Sequence, residues 1–165
     1  MNLATLKLIS GRAMAFSSTL MLSLALVSSM PRFKERRQRY FADAATEGSL
    51  TRMQFLHLAG ANVNARGTGR SPLFLAAGEG RLRAVRYLLD EGADVNAREN
   101  DGNTALTEAA FFGHIPVIKD LLVRGADVNA ISANGTALDI AIGKNNPALV
   151  ELLQHYGAKR ASEIR

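Results

Sequence analysis

The sequence predicts an all-α fold: a solenoid of short helices stacked in pairs, preceded by a hydrophobic N-terminal helix. Three observations lead to it. The first is a repeat. "GADVNARENDGNTAL" (Gly92–Leu106) returns as "GADVNAISANGTAL" (Gly125–Leu138), one residue shorter in the middle. Glycines at the head of this phrase fall at Gly60, Gly92, Gly125 and Gly157, at spacings of 32, 33 and 32 residues. A period of that size marks a stacked array. The second is that each period holds two apolar segments of helical rhythm. The third is that a pair of short helices cannot bury its own apolar stripe, so the units must stack on one another.

Each element has its own signal. Twelve residues before each phrase stand Gly48, Gly80, Gly113 and, in the last copy, Asn145, which mark the turn between the two helices. The first helix of each unit opens on a capping residue. Ser71 is followed by Pro72 at the first helical position, where a missing N–H costs nothing. Thr104 and Thr136 hold the same place, and Asp139, three residues after Thr136, suggests a capping box. The paired alanines Ala76–Ala77 and Ala109–Ala110 let neighbouring helices approach closely. The second helix carries Leu82, Val85, Leu88 and Leu89, then Ile115, Ile118, Leu121 and Leu122, one stripe at helical period. Gly92 and Gly125 follow its last turn, where a left-handed residue is wanted.

These words resemble the ankyrin repeat, whose core runs G-x-T-P-L-H-x-A-A-x-x-G-H, then an apolar helix, then G-A-D-V-N-A. The matching stretches are "GRSPLFLAAGEG", "GNTALTEAAFFGH" and "GTALDIAIGKN", with "GANVNA" and two copies of "GADVNA", across roughly residues 40–158. The resemblance implies an α-solenoid of ankyrin-type helix pairs joined by β-hairpin fingers. On that frame residues 40–165 form the repeat domain, with units at about 40–65, 66–97, 98–130 and 131–158. One departure stands out. The family's histidine after the leucine is replaced by Phe74, Thr107 and Asp139. The cap-stabilising hydrogen bonds it implies are therefore expected to be lost, and the array to be weakened. The ends also differ: Leu89 and Leu122 of the inner units become His57 and Gln154, as terminal caps with polar faces would require.

The formal charge of +5 invites a nucleic-acid reading, but its distribution argues against one. Residues 1–41 hold seven basic residues against Glu35, a net of +6, while the rest is nearly neutral, with 13 basic and 14 acidic residues. The repeat region thus lacks the basic face that phosphate binding needs. Residues 1–31 contain an uncharged run of 18 residues, Ala13–Met30, long enough to span a bilayer core. Residues 32–39 follow as a basic linker, with Arg32, Lys34, Arg36, Arg37 and Arg39 as the membrane flank that holds this side in the cytoplasm. The expectation is a single-pass protein with cytosolic repeats, whose basic linker also attracts anionic lipid. The alternatives are a cleaved export signal giving a secreted or periplasmic protein, a transit peptide, and a cytoplasmic protein whose translation starts at Met30.

No enzyme is expected. The absence of cysteine removes disulfides, thiol nucleophiles and Cys-based zinc sites. His57, His114 and His155 fall in different units without metal-binding spacing, and His114 reads as structural. "GTGRS" (Gly67–Ser71) and "GK" (Gly143–Lys144) both fail as phosphate loops, and no cofactor is implied. Glu79, Asp101 and Glu108 are the only acids that a hydrolase site in the groove would have to use. The expected function is a non-catalytic protein–protein interaction module, a scaffold or adaptor, monomeric and without nucleic acid. The alternative is a regulatory or inhibitory fragment acting on a partner enzyme. The resemblance implies a partner held on the concave face of fingers and first helices. The candidate contacts there are Arg66, Arg70, Glu79, Arg98, Asn100, Asp101, Asn103, Phe111, Phe112 and Lys144. Phe111 and Phe112 are the expected hydrophobic anchor. Adjacent helical residues diverge by about 100°, so at least one ring should stay out of the core.

Overall fold

A computed structural model describes residues 31–67 and 69–164, with side chains from Arg36 onward. The apolar run Ala13–Met30 and the side chains of Arg32, Lys34 and Thr68 lie outside the described residues. Among the described residues eight helices form four pairs: α1 (Pro31–Glu47) with α2 (Leu50–Leu58), α3 (Pro72–Gly78) with α4 (Leu82–Asp90), α5 (Ala105–Phe112) with α6 (Ile115–Val123), and α7 (Ala137–Gly143) with α8 (Pro147–His155). A 3₁₀ turn, Ala161–Glu163, follows. The inner helices α1, α3, α5 and α7 pack side by side in chain order, with α2, α4 and α6 aligned behind them. Ala44, Ala45, Ala76, Ala77, Ala109, Ala110 and Ala141 are fully or almost fully buried where the inner helices meet. Behind them Met53, Val85, Leu88, Ile118, Leu121, Leu149 and Leu153 close one continuous core. Each such side chain contributes about 1.5–3 kcal/mol by leaving water.

The turn positions behave as their residues dictate. Asn145, which stands in the frame where the other units have glycine, has φ +51° and is the one non-glycine in the left-handed region among the described residues. Gly80 is required twice over. Its φ is +65°, and a Cβ there would lie 2.7 Å from Nδ1 of His114 in the next unit. That histidine reaches across to the Gly78 carbonyl at 2.8 Å. One unit earlier, Arg81 at the same frame position donates to the Thr46 carbonyl at 3.0 Å.

The fingers depart from expectation. Among the described residues there are no strands, only an isolated antiparallel bridge between Ser132 and Gly135. With two or three residues per arm, the fingers are too short for a ladder and close as turns, such as Gly102 N–H to the Glu99 carbonyl at 2.9 Å. Their register is held by side-chain amides instead. Asn64 accepts from Asp94 N–H at 2.8 Å and donates to the Gly92 carbonyl at 3.1 Å. Asn96 grips Asp127 and Gly125 at 2.7 and 3.2 Å, and Asn129 grips Lys159 and Gly157 at 2.7 and 3.4 Å.

Both ends differ in form from the expectation. Residues 32–39, expected as a linker, lie within the 17-residue helix α1. From it Arg37 donates to the Ala59 carbonyl. Gln38 donates to the Asn62 carbonyl at 3.2 Å and accepts from Asn62 N–H at 3.1 Å, taking the place of a preceding unit's asparagine. His57 is not a solvent-facing cap. Its Nδ1 lies 3.0 Å from the Tyr87 hydroxyl and 3.6 Å from Glu91, both in the second unit. Only Gln154, which is exposed, behaves as an open-edge residue.

The missing histidines are replaced bond for bond. Thr107 completes a capping box with Thr104, accepting its N–H at 2.8 Å. Asp139 does the same for Thr136 at 3.1 Å. Ser71 is served from the next finger: Glu99 Oε1 accepts its N–H at 3.0 Å and its hydroxyl at 2.8 Å. Asp139 also accepts from Ala161 N–H at 2.8 Å and from Arg160 at 3.1 Å, which docks the C-terminal tail. Burial pushes the Asp139 carboxyl up. The Ala161 and Thr136 N–H groups, Arg160 and the Thr136 hydroxyl outweigh it and hold the group down at about 2.

Two outcomes are expected. Asn96→Ala should lower unfolding free energy by about 1–2 kcal/mol, since it removes two bonds between units; chemical denaturation measures this, with the exposed Asn100→Ala as the near-neutral comparison. The depressed carboxyl of Asp139 stabilises the fold when ionised. That contribution, on the order of 2 kcal/mol, is complete above about pH 4 and lost as pH falls towards 2. Asp139→Asn should therefore be less stable than the parent at neutral pH and converge with it in acid, by thermal unfolding across pH 2–7.

Candidate functional site

The finger tips hold most of the expected contact residues, and the structure divides them. Arg66 donates to the Arg98 carbonyl and to Asn100 Oδ1 at 3.4 Å, with Glu99 at 3.6 Å. Arg98 donates in turn to the Ile131 carbonyl. Both arginines, though exposed, thus also staple adjacent fingers together. Asn103 is buried at 8% exposure and bonded to Asp101 at 2.9 Å, so it supports its finger from within and does not reach the surface. Asn100 and Asp101 are exposed.

Arg70 lies against the groove floor. Its guanidinium carbon sits 4.8 Å above the Phe74 ring, and it reaches Glu108 at 3.6 Å. Burial raises the Glu108 carboxyl; Arg70 pulls it down, while Asp101 and Glu99 push it further up. Sequence reading missed Glu99, which is buried and bonds a cap 28 residues earlier. No local pattern signals it, because its partner lies in the preceding unit.

The ends of the inner helices carry the remainder. Glu79, Phe112 and Lys144 occupy one frame position in successive units, and Gly78, Phe111 and Gly143 the position before it. Neither ring is buried: Phe111 is 40% and Phe112 56% exposed. Their rings meet edge to face at 5.2 Å, and Phe112 stacks on His114 at 6.2 Å. The Lys144 ammonium sits 3.6 Å from the centre of the Phe111 ring. Such a cation–π contact contributes about 0.5–1 kcal/mol at an exposed site. The result is a braced aromatic step, exposed and flanked by one base and one acid.

The histidines are committed to this frame or to the surface: His57 to Tyr87, His114 to Gly78, and His155 beside Tyr156. Among the described residues no group of three His, Asp or Glu side chains is placed to hold a metal ion.

Stacked helix pairs with projecting turns, and a varied surface on a constant frame, define a helical-repeat binding scaffold. A family model of ankyrin repeats in three copies matches residues 41–132, more than half of the chain. The chain belongs to the ankyrin repeat family, whose repeats form protein–protein interaction modules. The fourth pair, α7 and α8, lies beyond the matched residues yet keeps the same frame, caps and asparagine grip. No curated protein matches the chain.

Phe112→Ala should leave unfolding free energy within about 0.5 kcal/mol of the parent, as for other exposed positions. Asn103→Ala should cost about 1 kcal/mol or more by unsatisfying a buried finger. Denaturant titration of the two side by side separates surface from support.

Proposed function

We propose that this protein is a non-catalytic adaptor that holds a partner protein on the face shared by its fingers and inner helices, with Phe111 and Phe112 as anchor. The observation that carries this reading is the exposure of both rings at frame positions where the other units have Thr46–Glu47, Gly78–Glu79 and Gly143–Lys144. Exposed aromatics braced by neighbours lose little freedom on binding, and aromatic residues dominate binding hot spots. Asn100 and Asp101 supply a polar rim.

The proposal includes a tether. It rests on the uncharged Ala13–Met30 run and the bases Arg32, Lys34, Arg36, Arg37 and Arg39 after it, which favour a cytosolic repeat domain. Of the bases with described side chains, Arg37 spends a donor on Ala59, while Arg36 and Arg39 are exposed. No helix among the described residues is long and apolar enough to cross a membrane, so the tether depends on the N-terminal run alone.

Membranes bearing the C-terminally tagged full chain should resist carbonate extraction, and the tag should be protected from protease added to intact cells. Partner capture from those membranes should fall at least tenfold for Phe112→Ser, with an unchanged melting temperature. Digestion of the tag in intact cells would place the repeats outside. Capture insensitive to both Phe111→Ser and Phe112→Ser would move the binding site elsewhere.

A further inference from the structure

Most charges on the finger-and-helix face are already committed. Arg66 and Arg98 serve finger carbonyls, Arg70 serves Glu108 and the Phe74 ring, and Asp101 serves Asn103. Two exposed charges on this face remain with neither an ion pair nor a side-chain hydrogen bond among the described residues: Glu79 and Lys144. They stand on either side of Phe112, each one unit away in the same frame position. Lys144 is held in place by the Phe111 ring, but a ring face leaves its positive charge uncompensated. The row therefore reads acid, aromatic, base along the stack.

Resting on the binding face described above, we propose that the partner docks one segment of fixed charge polarity. A basic residue faces Glu79, an apolar side chain lies on Phe112, and an acidic residue meets Lys144. A carboxylate there forms a charge-assisted bond with an ammonium that needs no reorientation. The spacing follows from the stack. Packed helices lie roughly 8–10 Å apart, and an extended chain advances about 3.3 Å per residue. The three contacts are therefore separated by about three residues each, in an extended segment running across the inner helices. Opposite polarity places like charges together, which suppresses wrong partners and reversed docking.

The test selects a displayed library of random peptides on the full chain and on its Phe112→Ser, Lys144→Glu and Glu79→Lys variants, each checked for unchanged melting. The parent should enrich an apolar residue flanked at about three residues by an acid on one side and a base on the other. Amidating that acid in a synthetic peptide should weaken binding by about tenfold. Lys144→Glu should abolish or reverse the acid preference, Glu79→Lys the base preference, and Phe112→Ser should lose the enrichment. Peptides that depend on Phe112 but show no charge preference, or the same preference on both charge variants, would overturn the polarity and leave the binding face standing. Absence of any Phe112-dependent enrichment would overturn both.

Discussion

The structure depends on the side-chain amide at the centre of each V-N-A phrase. Asn64, Asn96 and Asn129 each hold one N–H and one carbonyl of the turn that opens the next phrase, about thirty residues further along the chain. Hydrophobic burial drives the helix pairs together, but burial is indifferent to small sliding along the stack. The two-point amide contact is not. It fixes the height of each unit relative to the next, and so aligns the alanines of the inner helices and brings Glu99 under Ser71. At the first unit Gln38 of α1 supplies the same kind of grip from a helix rather than a finger.

What was legible in the sequence is what repeats or acts locally. Ser71, Thr104 and Thr136 cap their helices as their position demanded, and the alanine pairs are buried as their size demanded. What was not legible joins residues of different units without a pattern of their own. The Glu99–Ser71 bond spans 28 residues and occurs once. The docked tail around Ala161 and the helical course of Arg36–Arg39 have no copy elsewhere against which to read them. The candidate surface was half legible. The aromatic pair stood out because the frame has small or polar residues there. Arg66 and Arg98 looked like free finger residues because both donate to backbone carbonyls, which no sequence displays, and Asn103 because its bond to Asp101 forms inside its own turn.

The same bond is made repeatedly by different chemistry. Arg81 and His114 both reach the carbonyl two residues before the preceding unit's turn residue, one with a guanidinium and the other with an imidazole. A threonine hydroxyl, an aspartate and a glutamate from another finger all satisfy the N–H of a helix cap. The frame therefore constrains bonding geometry more tightly than residue identity. This is why departures at Phe74, Thr107 and Asp139 leave the caps closed. It is also how a surface such as Glu79–Phe112–Lys144 can vary without disturbing the register beneath it.

Helix α1 gives the array a mechanical asymmetry. Seventeen residues of helix extend about 25 Å, and they are clamped to the first unit near Arg37 and Gln38. A pull applied at Pro31 is therefore carried by a stiff rod into the Ala59–Asn62 turn. It loads that turn together with Gly67 at the start of the second unit, whose backbone lies against that of Gln38. In a stack whose units contact only their neighbours, such a load peels from the end inwards. The first pair, with its shared His57–Tyr87 contact, is the fuse, and the aromatic step on the third pair feels the strain only after the first two.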